Sequence, residues 1–159
     1  MDLTLSRRTF IAATTAFAVA RPVSAATTHE VQMLNQDPDN PRLRMVFSPR
    51  ILKVMPGDTV KFLNADRGHN SELIRGMGPA GGEEWKGRIN EEVEVTLTTP
   101  GVYGYQCAPH ATVGMVGIIV VGDGAPANLA DAQGVRQRGR ARQAFEEIWA
   151  EAGEMGLLG

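Results

Sequence analysis

Apolar and polar residues alternate in a series of short segments between residues 29 and 123. The clearest case is segment 92–98, in which Val93, Val95 and Leu97 share one face of a predicted strand. Further strand-like segments, each bounded by turn-forming residues, lie at 31–33, 43–47, 51–55, 59–63, 102–106 and 115–121. About eight short strands with regular turn spacing predict an all-β sandwich or barrel.

The pattern changes to a helical period after Gly124. Between residues 138 and 154, apolar residues recur every three or four positions, at Ala141, Ala144, Phe145, Ile148, Trp149 and Ala152. An amphipathic helix must cover its apolar stripe, and we expect this one to pack on the flank of the sandwich rather than on a partner. We therefore predict one β-domain at residues 26–124 and C-terminal helices at residues 125–159.

The first 25 residues are predicted to be an export signal that takes no part in the fold. Arg7 and Arg8 stand directly before an apolar stretch at residues 11–20, and small residues ending at Ala25 suit a signal peptidase. This arrangement resembles a bacterial twin-arginine signal, and the apolar stretch is too short to anchor the chain in a bilayer. The alternative is a disordered N-terminus that contains two arginines by chance. We predict cleavage after Ala25 and a periplasmic protein without a membrane anchor.

Composition and charge narrow the classes of function. The chain has 159 residues, of which 43% are hydrophobic and 21% charged, as in an ordinary globular domain. Without residues 1–25 it carries 13 basic and 17 acidic side chains, so its net charge of −4 gives no electrostatic case for nucleic-acid binding. The single cysteine, Cys107, excludes an internal disulfide. A free thiol is unusual in an oxidising compartment, and metal ligation is one good reason to keep it.

One loop between two predicted strands concentrates the chemistry. It places the thiol of Cys107, the imidazole of His110 and the thioether of Met115 within nine residues. A second imidazole, His69, lies about forty residues upstream at the start of another strand. Two imidazoles, a thiolate and a weakly bound thioether are the ligands of a trigonal copper site of the electron-transfer type.

Two other chemistries use some of the same residues. Zinc binds cysteine and histidine but has no need of a thioether. A nucleophilic Cys–His enzyme is possible in principle, yet no third orienting residue or oxyanion-hole signature is apparent in the sequence. His29 is the only other histidine, and one histidine cannot supply the ligands of a second copper centre. This argues against a copper oxidase or reductase. We therefore expect a protein that is not an enzyme.

Several longer segments resemble the pseudoazurin family of bacterial cupredoxins, and together they cover essentially the whole chain after residue 25. The segments that carry the resemblance are 31–35, 56–60, 68–70, 100–104, 115–117 and the tail that starts at 122–129. The resemblance implies an eight-stranded Greek-key cupredoxin sandwich with copper at one end and a C-terminal α-helical extension.

The resemblance also implies a role for individual residues. The copper ligands would be His69, Cys107 and His110, with Met115 as the axial ligand. Around them, the backbone N–H of Asn70 would bond to the ligand sulfur, Met45 would lie against the more exposed histidine, and Pro109 would stand beside it. A single type 1 copper would then shuttle one electron at a time between Cu(I) and Cu(II). Storage or delivery of copper without redox cycling is the alternative.

The partners implied by the resemblance are redox proteins, such as the nitrite reductase of denitrification and cytochromes, that dock transiently on a monomer near His110. The chain departs from the family pattern at four positions near that histidine, namely Gln106, Ala111, Thr112 and Val113. Its basic residues near the copper end would be Arg67, Arg75, Lys86 and Arg88. Because the chain is acidic overall, we expect weaker electrostatic steering than is usual in the family and a flatter salt dependence of association.

Overall fold

The computed structural model describes residues 25–159. The predicted export signal at residues 1–25 therefore lies outside the described residues, apart from Ala25, and stays a prediction. The described part contains eight strands: β1 (Thr28–Gln36), β2 (Arg44–Ser48), β3 (Ile51–Val54), β4 (Asp58–Leu63), β5 (Glu72–Leu73), β6 (Val93–Leu97), β7 (Gly101–Gln106) and β8 (Val116–Val121). A 3₁₀ helix (Ala108–Val113) lies between β7 and β8, and α1 (Leu129–Gly134) and α2 (Arg140–Glu154) follow β8.

The strands form two four-stranded sheets that face each other. Their strand orders are β2-β1-β4-β6 and β3-β8-β7-β5. The pairs β1–β4 and β3–β8 are parallel, while the remaining neighbours are antiparallel. The predicted all-β sandwich with a C-terminal helical extension is confirmed, and the barrel alternative is excluded.

Alternation along the strands builds the core between the sheets. In β4, Val60 and Phe62 are fully buried, and the residues that alternate with them, Thr59, Lys61 and Leu63, are half-buried. The predicted stripe on β6 is buried at Val95 and Leu97, whereas Val93 near the edge is only partly covered. Aromatic rings fill the middle of the core, where Phe62 packs edge-on against Tyr105 with 5.0 Å between ring centroids.

A carboxylate secures the start of β1. Asp58 is buried and accepts hydrogen bonds from the backbone N–H of Thr27 and of Met55 and from the ring of His29, each at 2.9 Å. These bonds, the two from the backbone above all, lower the pKa of Asp58 to about 2. Two of the donors, Thr27 and His29, belong to the N-terminal segment and the third, Met55, to the turn before β4, so this one side chain joins the two segments.

Strand β8 is buried along its whole length because both of its faces are covered. One face contributes to the core between the sheets, and the other packs with Ile118 and Val120 against α2. The buried stripe of α2 consists of Ala141, Phe145, Ile148 and Ala152, whereas Ala144 and Trp149 are partly exposed. The helix thus lies on the flank of the sandwich, while the segment boundaries at residues 26, 124 and 125 stay predictions. Within residues 25–159, none of the helices is long and apolar enough to cross a membrane.

Candidate metal centre

The connection from β7 to β8 carries three of the four predicted ligands. Cys107 follows β7 directly, and Met115 immediately precedes β8. The backbone N–H of His110 donates to the carbonyl of Cys107 at 3.0 Å, and Met115 donates to the carbonyl of His110 at 3.1 Å. Gly114 has a φ of 103°, which allows the sharp reversal that glycine adopts without strain. A return bond from the N–H of Cys107 to the carbonyl of Met115, at 3.1 Å, closes the loop.

The folded chain brings His69 to this loop. Its Nδ1 lies 3.1 Å from Nδ1 of His110 and 3.7 Å from Sγ of Cys107, and that sulfur lies 3.5 Å from Nδ1 of His110. Metal–nitrogen bonds of about 2.0 Å and metal–sulfur bonds of about 2.3 Å leave donors on one ion roughly 3 to 4 Å apart. The three side chains therefore fit a single ion of the kind that soft thiolate and imidazole ligands bind.

Met115, the fourth predicted ligand, is the last residue of the same loop. Its side chain is fully buried and belongs to the same core cluster as Cys107. His69 is buried as well, so His110 is the one member of the predicted ligand set with exposed surface. Among the predicted ligands, only His110 therefore reaches the surface, where another molecule could contact it.

Asn35 holds the ring of His69 from the side opposite the cluster. Nε2 of His69 lies 3.1 Å from the side-chain oxygen of Asn35, at the end of β1. When Nε2 carries the proton and donates to that oxygen, Nδ1 keeps its lone pair for a metal. No sequence pattern singles out Asn35 for this role, because the two residues are 34 positions apart and meet only in the folded chain.

Burial sets the protonation of the two most enclosed donors. It lowers the pKa of His69, and the neighbouring His110 lowers it further, so the imidazole is held neutral as a metal ligand requires. Burial also raises the pKa of the Cys107 thiol, while the backbone N–H groups of Asn70 and His110 act in the opposite direction. A metal ion that binds here replaces the thiol proton, so metal binding and proton release are coupled.

The side chain of Asn70 connects three segments around the centre. Its oxygen accepts from the backbone N–H of Ala108 at 2.7 Å, and its nitrogen donates to the carbonyl of Gly87 at 3.0 Å. Met45 is partly buried against the core cluster and has a φ of 55°, and Pro109 is an exposed residue in the first turn of the 3₁₀ helix. The effects predicted for Asn70, Met45 and Pro109 on the metal stay predictions.

A groove of about 1030 Å³ runs from the ligand loop down between β2 and α2. Near the loop its lining includes the exposed apolar side chains of Leu43 and Val113. Three arginines that form no salt bridge with the described residues also line it, namely Arg42, Arg44 and Arg140. The same groove is also lined by acidic side chains, those of Asp37, Glu147 and Glu151, so it carries both signs of charge. It includes none of the basic residues that the sequence suggested for this end of the molecule, namely Arg67, Arg75, Lys86 and Arg88.

Comparison with known proteins agrees with this geometry. The family described as copper binding proteins of the plastocyanin/azurin family matches residues 31–122. The pseudoazurin of Paracoccus pantotrophus is 42% identical over 140 residues, covering 88% of this chain and 93% of its own, and that of Methylorubrum extorquens is 39% identical over 146 residues, covering 91% and 96%. The solved structure of a pseudoazurin from Sinorhizobium is 50% identical and superposes with a TM-score of 0.74, covering 79% of this chain and 95% of its own.

Proposed function

Because this chain belongs to the plastocyanin/azurin family of copper-binding proteins, and within it to the pseudoazurins, we propose that it is a periplasmic carrier of single electrons between redox proteins. The family makes it a copper protein of electron transfer and not an enzyme. The observation that carries the finer proposal is the convergence of His69, Cys107 and His110, with three donor atoms within 4.8 Å of one another.

We assign the metal to His69, Cys107 and His110 as strong ligands and to Met115 as the weak axial ligand. Bound copper supplies a one-electron couple, Cu(I)/Cu(II). The chain supplies a fixed and largely dry environment. His69, Cys107 and Met115 are fully buried, and the side chains of Asn35 and Asn70 hold the two converging segments by hydrogen bonds. Rigid ligands and excluded water reduce the rearrangement that a change of charge at the site would otherwise require.

Partners are proposed to dock over the exposed edge of His110. Next to it, Val113 on the same 3₁₀ helix is 48% exposed and offers apolar contact. A small apolar patch suits brief encounters, because it is dry enough for close approach but too small for a permanent complex. Nitrite reductases of denitrification and cytochromes are the proposed partners of a monomeric carrier, with weaker electrostatic steering and a flatter salt dependence of association than is usual in the family.

Stopped-flow electron transfer to a copper nitrite reductase tests this proposal. We expect Val113→Asp to lower the second-order rate constant by about tenfold, because it puts a charge into the contact patch. Met55→Asp is the matched control, since Met55 is 42% exposed and lies past the end of β3 that is remote from the ligand loop. Equal rates for both variants and the unmodified protein would contradict docking at His110.

Storage or delivery of copper without redox cycling is the second function to separate from the first. A delivery protein releases its metal readily, whereas a carrier keeps it through repeated cycles. Incubation of the copper-loaded protein with a strong chelator, over many cycles of reduction and oxidation, distinguishes the two. Retention of copper supports the carrier, and rapid loss in either oxidation state contradicts it.

Export is tested separately from redox chemistry. We propose that residues 1–25 direct the folded protein to the periplasm. Conversion of Arg7 and Arg8 to lysine in the full-length chain, followed by cell fractionation, should leave an uncleaved protein in the cytoplasm. Normal processing of that variant would contradict a twin-arginine route.

A further inference from the structure

Glu72 is an acidic side chain next to the metal centre with no role in the ligand set. It lies on β5, directly opposite Gln106 of β7, and Gln106 is the residue before Cys107. The side chain is half-buried at this edge of the sheet. Its charge is therefore partly shielded from water and close in the fold to the segment that carries the thiolate.

Both oxygens of this carboxylate are held by neutral amides. The side-chain nitrogen of Gln106 donates to Oε1 at 2.9 Å, and the side-chain nitrogen of Asn70 lies 3.4 Å from Oε2. Among residues 25–159, Glu72 takes part in no salt bridge. Amide partners fix the position of the carboxylate but carry no opposite charge. Lys86 stands opposite Glu72 in a β-bridge, but its exposed side chain forms no salt bridge with the carboxylate.

The same amide that holds Glu72 also holds the ligand loop. Asn70 accepts from the N–H of Ala108, which is the residue after Cys107, at 2.7 Å. The carboxylate is thus joined to the residue before Cys107 through Gln106 and to the residue after it through Asn70. Strand position and hydrogen bonding both place the charge of Glu72 beside the segment that carries the proposed thiolate ligand.

On the basis of the function proposed above, we propose that Glu72 lowers the reduction potential of the copper centre and that Gln106, being neutral, does not offset the charge of this carboxylate. A site with one thiolate and two neutral imidazoles has a net charge of +1 with Cu(II) and of zero with Cu(I). Reduction adds one electron from an external donor and, in this scheme, no proton. A fixed negative charge nearby stabilises the more positive oxidised form, so reduction becomes less favourable.

Voltammetry of the copper-loaded protein near neutral pH tests the inference. Glu72→Gln removes the charge and keeps the shape and one acceptor oxygen. We expect it to favour reduction by roughly three- to tenfold in the equilibrium constant, the range for a half-exposed charge. A tenfold change corresponds to about 59 mV for a one-electron couple.

Two further variants separate charge from geometry. Glu72→Asp keeps the charge but shortens the side chain, so its potential should stay close to that of the unmodified protein. Glu94→Gln removes one charge from an exposed site on the other sheet, where Glu94 contacts Lys61, and should leave the potential nearly unchanged. An unchanged potential in Glu72→Gln, a larger shift in Glu72→Asp than in Glu72→Gln, or an equal shift in Glu94→Gln would each overturn the inference.

The proposed function is decided by the unmodified protein in the same experiment. A reversible one-electron wave from a thiolate-bound copper supports the carrier, and the variants then decide the role of Glu72. If that wave and the thiolate-to-copper absorption band are both absent, the proposed function and the inference are both wrong. If the wave is normal but Glu72→Gln does not change the reduction potential, only the inference is wrong.

Discussion

The hydrogen bond from His69 to Asn35 offers a direct test of how the chain prepares its metal ligands. Asn35→Ala removes the acceptor that lies 3.1 Å from Nε2 of His69. The ring of His69 is fully buried, so its N–H loses its partner in a place that water does not reach in the intact protein. A buried donor without a partner costs about 1–3 kcal/mol.

The expected magnitude lies at the lower end of that range. Asn35 itself is exposed, so its truncation lets water approach the ring and recover part of the lost bond. We predict a loss of about 1.4 kcal/mol in copper binding, which is about tenfold in affinity and falls within the effect typical of residues that orient metal ligands. The assay is competition for Cu(I) against a chromophoric chelator of known affinity.

Asn128→Ala is the matched control for this prediction. The amide of Asn128 also bridges two segments, since it accepts from the N–H of Val102 at 2.9 Å and donates to the carbonyl of Val102 at 2.8 Å. It lies on the α1 side of the molecule and should affect stability without affecting copper affinity. Unchanged affinity in Asn35→Ala, or an equal loss in Asn128→Ala, would refute the reasoning.

Three further predictions concern stability. Asp58→Asn should destabilise the fold by about 1–3 kcal/mol, because one of the N–H donors to the carboxylate loses its acceptor; urea unfolding measures this. Because the pKa of Asp58 is lower in the folded protein, its carboxylate adds stability that is present above about pH 4 and is lost as the pH falls towards 2. The free energy of unfolding of Asp58→Asn should therefore fall less in acid than that of the unmodified protein. Ile148→Ala should cost about 2–5 kcal/mol, since Ile148 is fully buried on the face of α2 that packs against β8. A lower midpoint of thermal unfolding with an unchanged copper spectrum would agree with this prediction. Tyr103→Phe should cost about 1 kcal/mol by removing the hydroxyl that donates to Glu83 at 2.7 Å, and an unchanged unfolding midpoint would contradict that bond.

Most of the fold follows from local patterns in the sequence. Strand β6 at Val93–Leu97 and helix α2 at Arg140–Glu154 lie within two residues of the predicted segments because each has a strong period over several residues. Strand β5 has only two residues, and α1 only six, which is too short for any period to mark them. The parallel pairing of β1 with β4 depends on the whole topology and has no local signal.

The ligand residues were predictable from the sequence, whereas the contacts that bring them together were not. His69 was predicted as the second imidazole and through the family resemblance, and not from its spacing to the other ligands. Cys107, His110 and Met115 share one loop, so their spacing alone indicates a common centre. The contact of His69 with that loop, and of Asn35 with His69, depends on how the two sheets pack. Glu72 pairs with Gln106 through β5, a strand of only two residues, so the sequence likewise contains no sign that Glu72 lies near the centre.

Visible absorption and electron paramagnetic resonance of the Cu(II)-loaded protein, beside Cys107→Ser, test the central claim most directly. Three donors within 4.8 Å of one another, one of them a thiolate, predict an intense visible thiolate-to-copper band and a narrow copper hyperfine pattern. Both should disappear in Cys107→Ser. A weak spectrum of ordinary Cu(II) that the substitution leaves unchanged would show that Cys107 does not bind the metal, and the electron-carrier account would fail.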